Sequence, residues 1–191
     1  MTEGDAYFAG LLFADGSFRT KPSGNLEAQL VLVDKDTVEQ FRSYLGSERP
    51  IREKETPEGR QRQYAFCSTG HSKVHKIGHA WGIAEKNRVP HKLVGSRHFL
   101  RGFTDGDGCL YIRERNGRKS FLFQLTNQSR NLLQQLKDEY SAFENVSIRQ
   151  SSGAFVLSAE SKSAAKLAKT IYADTTYAMP RKKQTAHKYD L

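Results

Sequence analysis

Two carboxylates, Asp15 and Asp107, close two segments of the same kind. Tyr7-Phe-Ala-Gly-Leu-Leu-Phe-Ala-Asp-Gly16 and Phe99-Leu-Arg-Gly-Phe-Thr-Asp-Gly-Asp-Gly108 are largely apolar, carry a small residue in the middle, and end in an acid and a glycine. Gly10 and Ala14 are four residues apart, as are Gly102 and Gly106. On a helix, residues four apart share a face, and a face of small residues lets two backbones approach closely. Two such helices side by side bring their carboxyl ends together, with Asp15 next to Asp107. Paired carboxylates need a cation between them or a proton on one of them. Magnesium, with its preference for oxygen ligands, is the natural candidate, and the backbone carbonyls of Ala14 and Gly106 are further donors. Mn²⁺ or Ca²⁺ could substitute for binding.

Both segments resemble the LAGLIDADG motif of homing endonucleases. Phe8-Ala-Gly-Leu-Leu-Phe-Ala-Asp-Gly16 follows the motif with Phe at its first and sixth positions, and Leu100-Arg-Gly-Phe-Thr-Asp-Gly-Asp-Gly108 keeps both acids. The eighth position, which in that family binds metal, is Asp15 in one copy and Asp107 in the other. The copies lie 92 residues apart, a domain-sized spacing. The resemblance implies a monomeric, two-motif enzyme making a staggered double-strand break in DNA, with each aspartate serving one strand. It also implies a polar residue near the catalytic water, at Asp34 and Asn127. For these two, helix N-capping is the competing role. A basic residue steadying the scissile phosphate is implied at Lys86 and Lys182, and a solvated tail is the competing reading there. Asp105 is expected to flank the site. The alternative on the same scaffold is a non-cleaving nucleic-acid-binding protein, an intron RNA maturase or a transcription regulator.

The elements that must position these residues are written twice. Thr2-Glu-Gly-Asp5 is a capping box that starts the first motif helix. Alternation then predicts strands at 17–21 and 26–33, separated by the turn signal Pro22-Ser-Gly-Asn25. A helix follows through Val38, Phe41 and Leu45, then strands at 51–54 and 63–68, then helical spacing at Val74, Ile77 and Trp81. Residues 82–95 read as a linker. Ser96 can cap the second motif helix, and strands are expected at 109–115 and 121–126 about the hairpin signal Asn116-Gly117. A helix through Leu132, Leu133, Leu136 and Tyr140, short strands at 146–150 and 154–158, a helix over 164–171 and a basic tail at 180–183 complete the chain. The expected fold is α+β. Two α-β-β-α-β-β-α units, 1–95 and 96–191, are related by a pseudo-two-fold axis. Their antiparallel sheets are saddle-shaped, and they pack through the motif helices.

If the apolar rows of the strands face the helices, the opposite rows face outward. These rows are Ser17, Arg19, Lys21, Glu27 and Gln29 in the first unit. In the second they are Cys109, Tyr111, Arg113, Arg115, Ser120, Gln124 and Thr126. Side chains of these types suit base edges and phosphates of double-stranded DNA.

Composition agrees with a polyanionic partner. The 191-residue chain has a net charge of +9. Residues 1–95 carry 14 Lys and Arg against 12 Asp and Glu, and residues 96–191 carry 16 against 9, so the second half should grip phosphates harder. Two cysteines without metal-type spacing fit a reducing compartment. The absence of a long apolar run or signal-like start points to an intracellular protein, working with DNA in a bacterial or phage-infected cell or an organelle. No protein partner is implied. His71, His75 and His79 fall four apart, but without an HExxH pattern they are expected on a wet helix face, and Trp81 in the core.

Overall fold

A computed structural model describes residues 1–85, 89 and 91–188 of the chain. Helix α1 (Glu3–Ala14) begins at the expected capping box, in which Asp5 N–H donates to Thr2 Oγ1 at 3.2 Å and Thr2 N–H to Asp5 Oδ2 at 3.3 Å. Gly4 to Phe13 are all buried. A helix that is apolar all round belongs inside a protein, and α1 is the central element of the first unit. After it run β1 (Gly16–Thr20), β2 (Leu26–Leu32), α2 (Lys35–Tyr44), β3 (Arg52–Lys54), β4 (Gln63–Thr69) and a short α3 (Ser72–His75) that continues into a π-helical turn, Lys76–Ala80. That turn lies tight on β2: a Cβ on Gly78 would stand 2.2 Å from Leu26 Cδ2.

The stretch read as a linker contains α4 (His91–Val94), whose Leu93 and Val94 are buried. The second unit comprises α5 (Arg97–Asp107), β5 (Gly108–Arg115), β6 (Arg118–Asn127), α6 (Arg130–Glu139), β7 (Arg149–Ser151), β8 (Ala154–Glu160), α7 (Ser161–Tyr172) and α8 (Pro180–Lys188). The basic tail is therefore a helix. Ser96 stands at the head of α5 but makes no side-chain capping bond. Each unit has one antiparallel four-stranded sheet, in the orders β1-β2-β4-β3 and β5-β6-β8-β7. The fold is mixed α and antiparallel β in two repeated units, as expected.

The units meet through α1 and α5, and the glycines set the distance. A Cβ on Gly10 would lie 2.1 Å from the Phe99 carbonyl oxygen and 2.7 Å from Phe103 N. A Cβ on Gly102 would lie 1.9 Å from the Tyr7 oxygen and 2.9 Å from Leu11 N. The two contacts are the same relation seen from either side, since each residue lies 92 positions from its counterpart. One position breaks the symmetry. Phe13 packs against the rings of Phe99 and Phe103 at centroid distances of 6.3 and 6.1 Å. Its counterpart Asp105 accepts hydrogen bonds from Tyr7 and Tyr172 hydroxyls and from Met179 N–H.

That polar anchor fastens the segment after α7. Arg101, fully buried, donates to the Tyr177 and Ile171 carbonyls and to Glu3 Oε1. Glu3 Oε1 also accepts from Thr176 N–H, and Gln40 of α2 exchanges two hydrogen bonds with the main chain of Ala178. Residues 176–178 thus stitch the second unit to the first.

Candidate active site and outward sheet faces

The carboxyl ends of α1 and α5 adjoin. Asp15 caps α1 and Asp107 is the last residue of α5. A Cβ on Gly106 would stand 2.3 Å from Ala14 Cβ and 3.0 Å from Asp15 Oδ2, so the Asp15 carboxylate lies against the turn that carries Asp107. Gly16 and Gly108 follow because the chain folds back over its own helix. A Cβ at either would come within 2.6 Å of the Leu12 carbonyl or 2.5 Å of the Thr104 carbonyl. Asp15 is exposed and Asp107 half-buried. A cleft of about 580 Å³, lined by Phe13, Ala14, Asp107, Thr126, Asn127, Gln128, Ser129 and Ala154, opens beside Asp107.

Asn127 reaches this site. Its Nδ2 donates to Asp107 Oδ2 at 2.9 Å, and its Oδ1 accepts from Ser129 N–H at 2.9 Å. It does not cap α6, where Ser129 does, accepting from Leu132 N–H. Strand register also corrects the expected equivalence with Asp34. Gly16 pairs with Leu30 and Gly108 with Leu125, so Leu32 is the counterpart of Asn127, and Ser129 that of Asp34. Asp34 precedes α2 without a side-chain capping bond and instead receives Arg181 in two-pronged fashion, Nε to Oδ1 at 2.8 Å and Nη2 to Oδ2 at 3.1 Å.

Lys182 is not on a solvated tail. Its ammonium is buried and donates at 2.7 Å to each of the carbonyls of Thr104, Asp105 and Gly108. A cation on the last carbonyls of a helix complements its dipole. Burial pushes the ammonium below the ordinary lysine range, against the pull of Asp105 and Asp15. With its protons committed to main chain, Lys182 braces the turn bearing Asp107. Lys86 lies outside the described residues. Asp105 does not flank the site. It is buried in the tyrosine anchor, and desolvation raises its carboxyl above the usual range despite the hydrogen bonds it accepts.

The outward rows lie on one face of each sheet. Along β2, Leu26, Ala28, Leu30 and Leu32 are buried while Glu27, Gln29 and Val31 alternate with them. Ser17 pairs with Gln29 and Arg19 with Glu27. Lys21 meets Glu27 at 2.8 Å, and its hydrogen bond, against the opposing effect of burial, holds the Glu27 carboxyl down at about 2. Thr69 and Cys67 donate to the same carboxylate. In the second sheet Cys109, Tyr111, Arg113, Arg115 and Thr126 are exposed, and Ser120 and Gln124 half-buried. Arg113 pairs with Glu160. Leu122 belongs to the outward row but is buried, between Tyr111 and Glu160 in register.

His71 and His75 have structural work, while His79 is exposed with its ring 5.7 Å from that of His75. His71 Nδ1 accepts from Lys73 N–H at the head of α3, and His75 Nε2 accepts from Leu26 N–H. Trp81 is buried. Among the described residues no group of three or more His, Cys, Asp or Glu stands ready for a metal, and no helix is long and apolar enough to cross a membrane.

A family model described as a LAGLIDADG-like domain matches residues 95–172. Among solved structures, the homing endonuclease I-WcaI bound to its DNA recognition sequence superposes with a TM-score of 0.73 at 14% identity, covering 99% of this chain and 87% of that one. The I-LtrWI LAGLIDADG homing endonuclease bound to target DNA gives 0.64 at 13% identity over 95% and 87%. I-SmaMI bound to cleaved DNA gives 0.61 at 11% identity over 95% and 86%. No curated protein matches in sequence. At such identities the structural likeness is one of fold. Residues 95–172 thus resemble a LAGLIDADG-like domain, and the chain as a whole carries the two-unit fold seen in the LAGLIDADG homing endonucleases.

Proposed function

We propose that the chain is a site-specific DNA endonuclease that hydrolyses one phosphodiester bond in each strand of a long duplex target, with divalent metal held by Asp15 and Asp107. The observation that carries this reading is the approach of the Asp15 carboxylate to the Asp107 turn, where a Cβ on Gly106 would stand 3.0 Å from Asp15 Oδ2. The DNA in the I-WcaI and I-LtrWI structures supports duplex DNA as the partner.

The donor set suits Mg²⁺. That ion keeps several waters and needs only one or two carboxylates with substrate phosphate. Two aspartates, with the Ala14 and Gly106 carbonyls at the same helix ends, meet that need with hard oxygen donors alone. When bound, the metal supplies an activated water and charge stabilisation at the phosphate.

The protein's own residues do the rest. Asn127 fixes Asp107 Oδ2 by its 2.9 Å hydrogen bond. Lys182 holds the carbonyls of the α5 end. The glycine contact between α1 and α5 sets the spacing of the two carboxylates, and with it the offset of the two cuts. The outward strand rows grip phosphates and base edges, and one chain presents both half-sites. Such work lies inside a cell or organelle, where the DNA is.

The test is incubation of the purified chain with a randomised duplex library, with and without Mg²⁺. Enrichment of a sequence cut in both strands only with metal is the expected result. Retention of duplex or RNA without cutting in either condition contradicts the enzyme reading and favours a maturase or regulator.

A further inference from the structure

The two sheets do not reach equally far. β1 and β2 pair over five positions, from Gly16↔Leu30 to Thr20↔Leu26, whereas β5 and β6 pair over eight, from Gly108↔Leu125 to Arg115↔Arg118. Thr20↔Leu26 corresponds to Ile112↔Phe121. The pairs Arg113↔Ser120, Glu114↔Lys119 and Arg115↔Arg118 are therefore additional. The first hairpin closes one step later, where Lys21 N–H bonds the Asn25 carbonyl at 2.9 Å. Counting that step, the second ribbon is longer by two pairs, about 7 Å, or about two base-pair steps along a duplex.

The extension leaves the body of the protein. Ile112, which should lie over the core, is 44% exposed, and every residue from Tyr111 to Lys119 is exposed. Asn116 and Gly117 both have positive φ, 52° and 72°, the tight turn that keeps a twisted two-stranded ribbon in register. The charges are sorted by face. Glu114 faces Lys119, a complementary pair, on the inner face. On the outward face Arg115 faces Arg118 directly, while Arg113, two residues along the same strand, is held by Glu160. Like charges directly opposite are destabilising in an isolated ribbon, and a polyanion lying along that face relieves the repulsion.

We infer that the β5–β6 ribbon clamps the phosphate backbone of its own half-site further from the cut than the first unit's shorter hairpin reaches on the other side. The target footprint is then asymmetric, extending about two base pairs further from the cut on the side held by the second unit. This rests on the endonuclease reading and deepens it.

The experiment is hydroxyl-radical footprinting on the selected duplex, with the full chain and with the double variant Arg115→Ala/Arg118→Ala. Wild type should protect about two more steps on one side of the cut. The variant should lose those protections and no others, and the slope of log K against log salt should fall by about two. Unchanged circular dichroism and melting show that the variant folds, and the single variant Arg118→Gln supplies a milder case. A symmetric wild-type footprint, or a variant that weakens protection uniformly, overturns the inference. A wild-type chain that selects no duplex overturns the parent reading instead, and this one with it.

Discussion

Asp107 is oriented by Asn127, a residue whose role depends on which way the end of β6 faces. The 2.9 Å bond from Nδ2 to Asp107 Oδ2, with Oδ1 fixed by Ser129 N–H, leaves the amide no freedom to rotate. Asn127→Ala is expected to lower cleavage by about 10–100-fold while leaving duplex affinity in place, measured as single-turnover cleavage beside a binding titration. Asp5 offers a test on stability. Its burial would raise its pKa, but hydrogen bonds from Lys76, Tyr44 and Thr2 win, and the carboxyl is held at about 2 against an ordinary value of 3.8. A lowered folded-state pKa gives stability that is complete above about pH 4 and lost as pH falls towards 2. Asp5→Asn should therefore melt below wild type at neutral pH by an amount worth about 1–3 kcal/mol. The gap should close between about pH 4 and pH 2 in a pH series of thermal melts. At this scale the sequence was legible for Asp15 and Asp107 as a repeated pair. It misled for Asp105 and Lys182, because partners 74 to 78 residues away decide whether an acid or a lysine meets solvent. Arg101 inside an otherwise apolar run was the one visible sign of the buried anchor.

Helices α1 and α5 owe their approach to missing side chains. Gly102 faces the Tyr7 carbonyl with no room for a methyl group, its Cβ position lying 1.9 Å from that oxygen. Gly102→Ala should force the helices apart, destabilise the fold by about 1–3 kcal/mol, and abolish paired cutting even at temperatures where the variant is folded. Thermal melts with strand-resolved cleavage check both parts. The small-residue spacing announced this contact, and two-residue alternation announced the strands, because both are local periodicities with one burial solution. The helical nature of 180–188 was not announced. Its stretch is strongly basic, with only Lys182 and Ala186 buried, and it is held by tertiary bonds to α5 and by the Arg181–Asp34 pair.

The whole molecule is a duplication whose halves have diverged. The unequal hairpins, the uneven charge and the Phe13/Asp105 exchange all fall on one repeated plan with α1 and α5 at its axis. The plan could be read from the sequence, since motif, turn and strand recur at matching intervals. The stitching of residues 176–178 back across the first unit could not, because it rests on long-range bonds such as Glu3 to Thr176 and Gln40 to Ala178. The central claim is that one aspartate from each half meets the other to form a single cutting centre. Strand-resolved cleavage of the selected duplex by Asp15→Asn and by Asp107→Asn, alongside their binding affinities, tests it most directly. The account predicts that each variant binds as wild type does and that neither severs both strands. Undiminished double-strand cutting by both variants would contradict it.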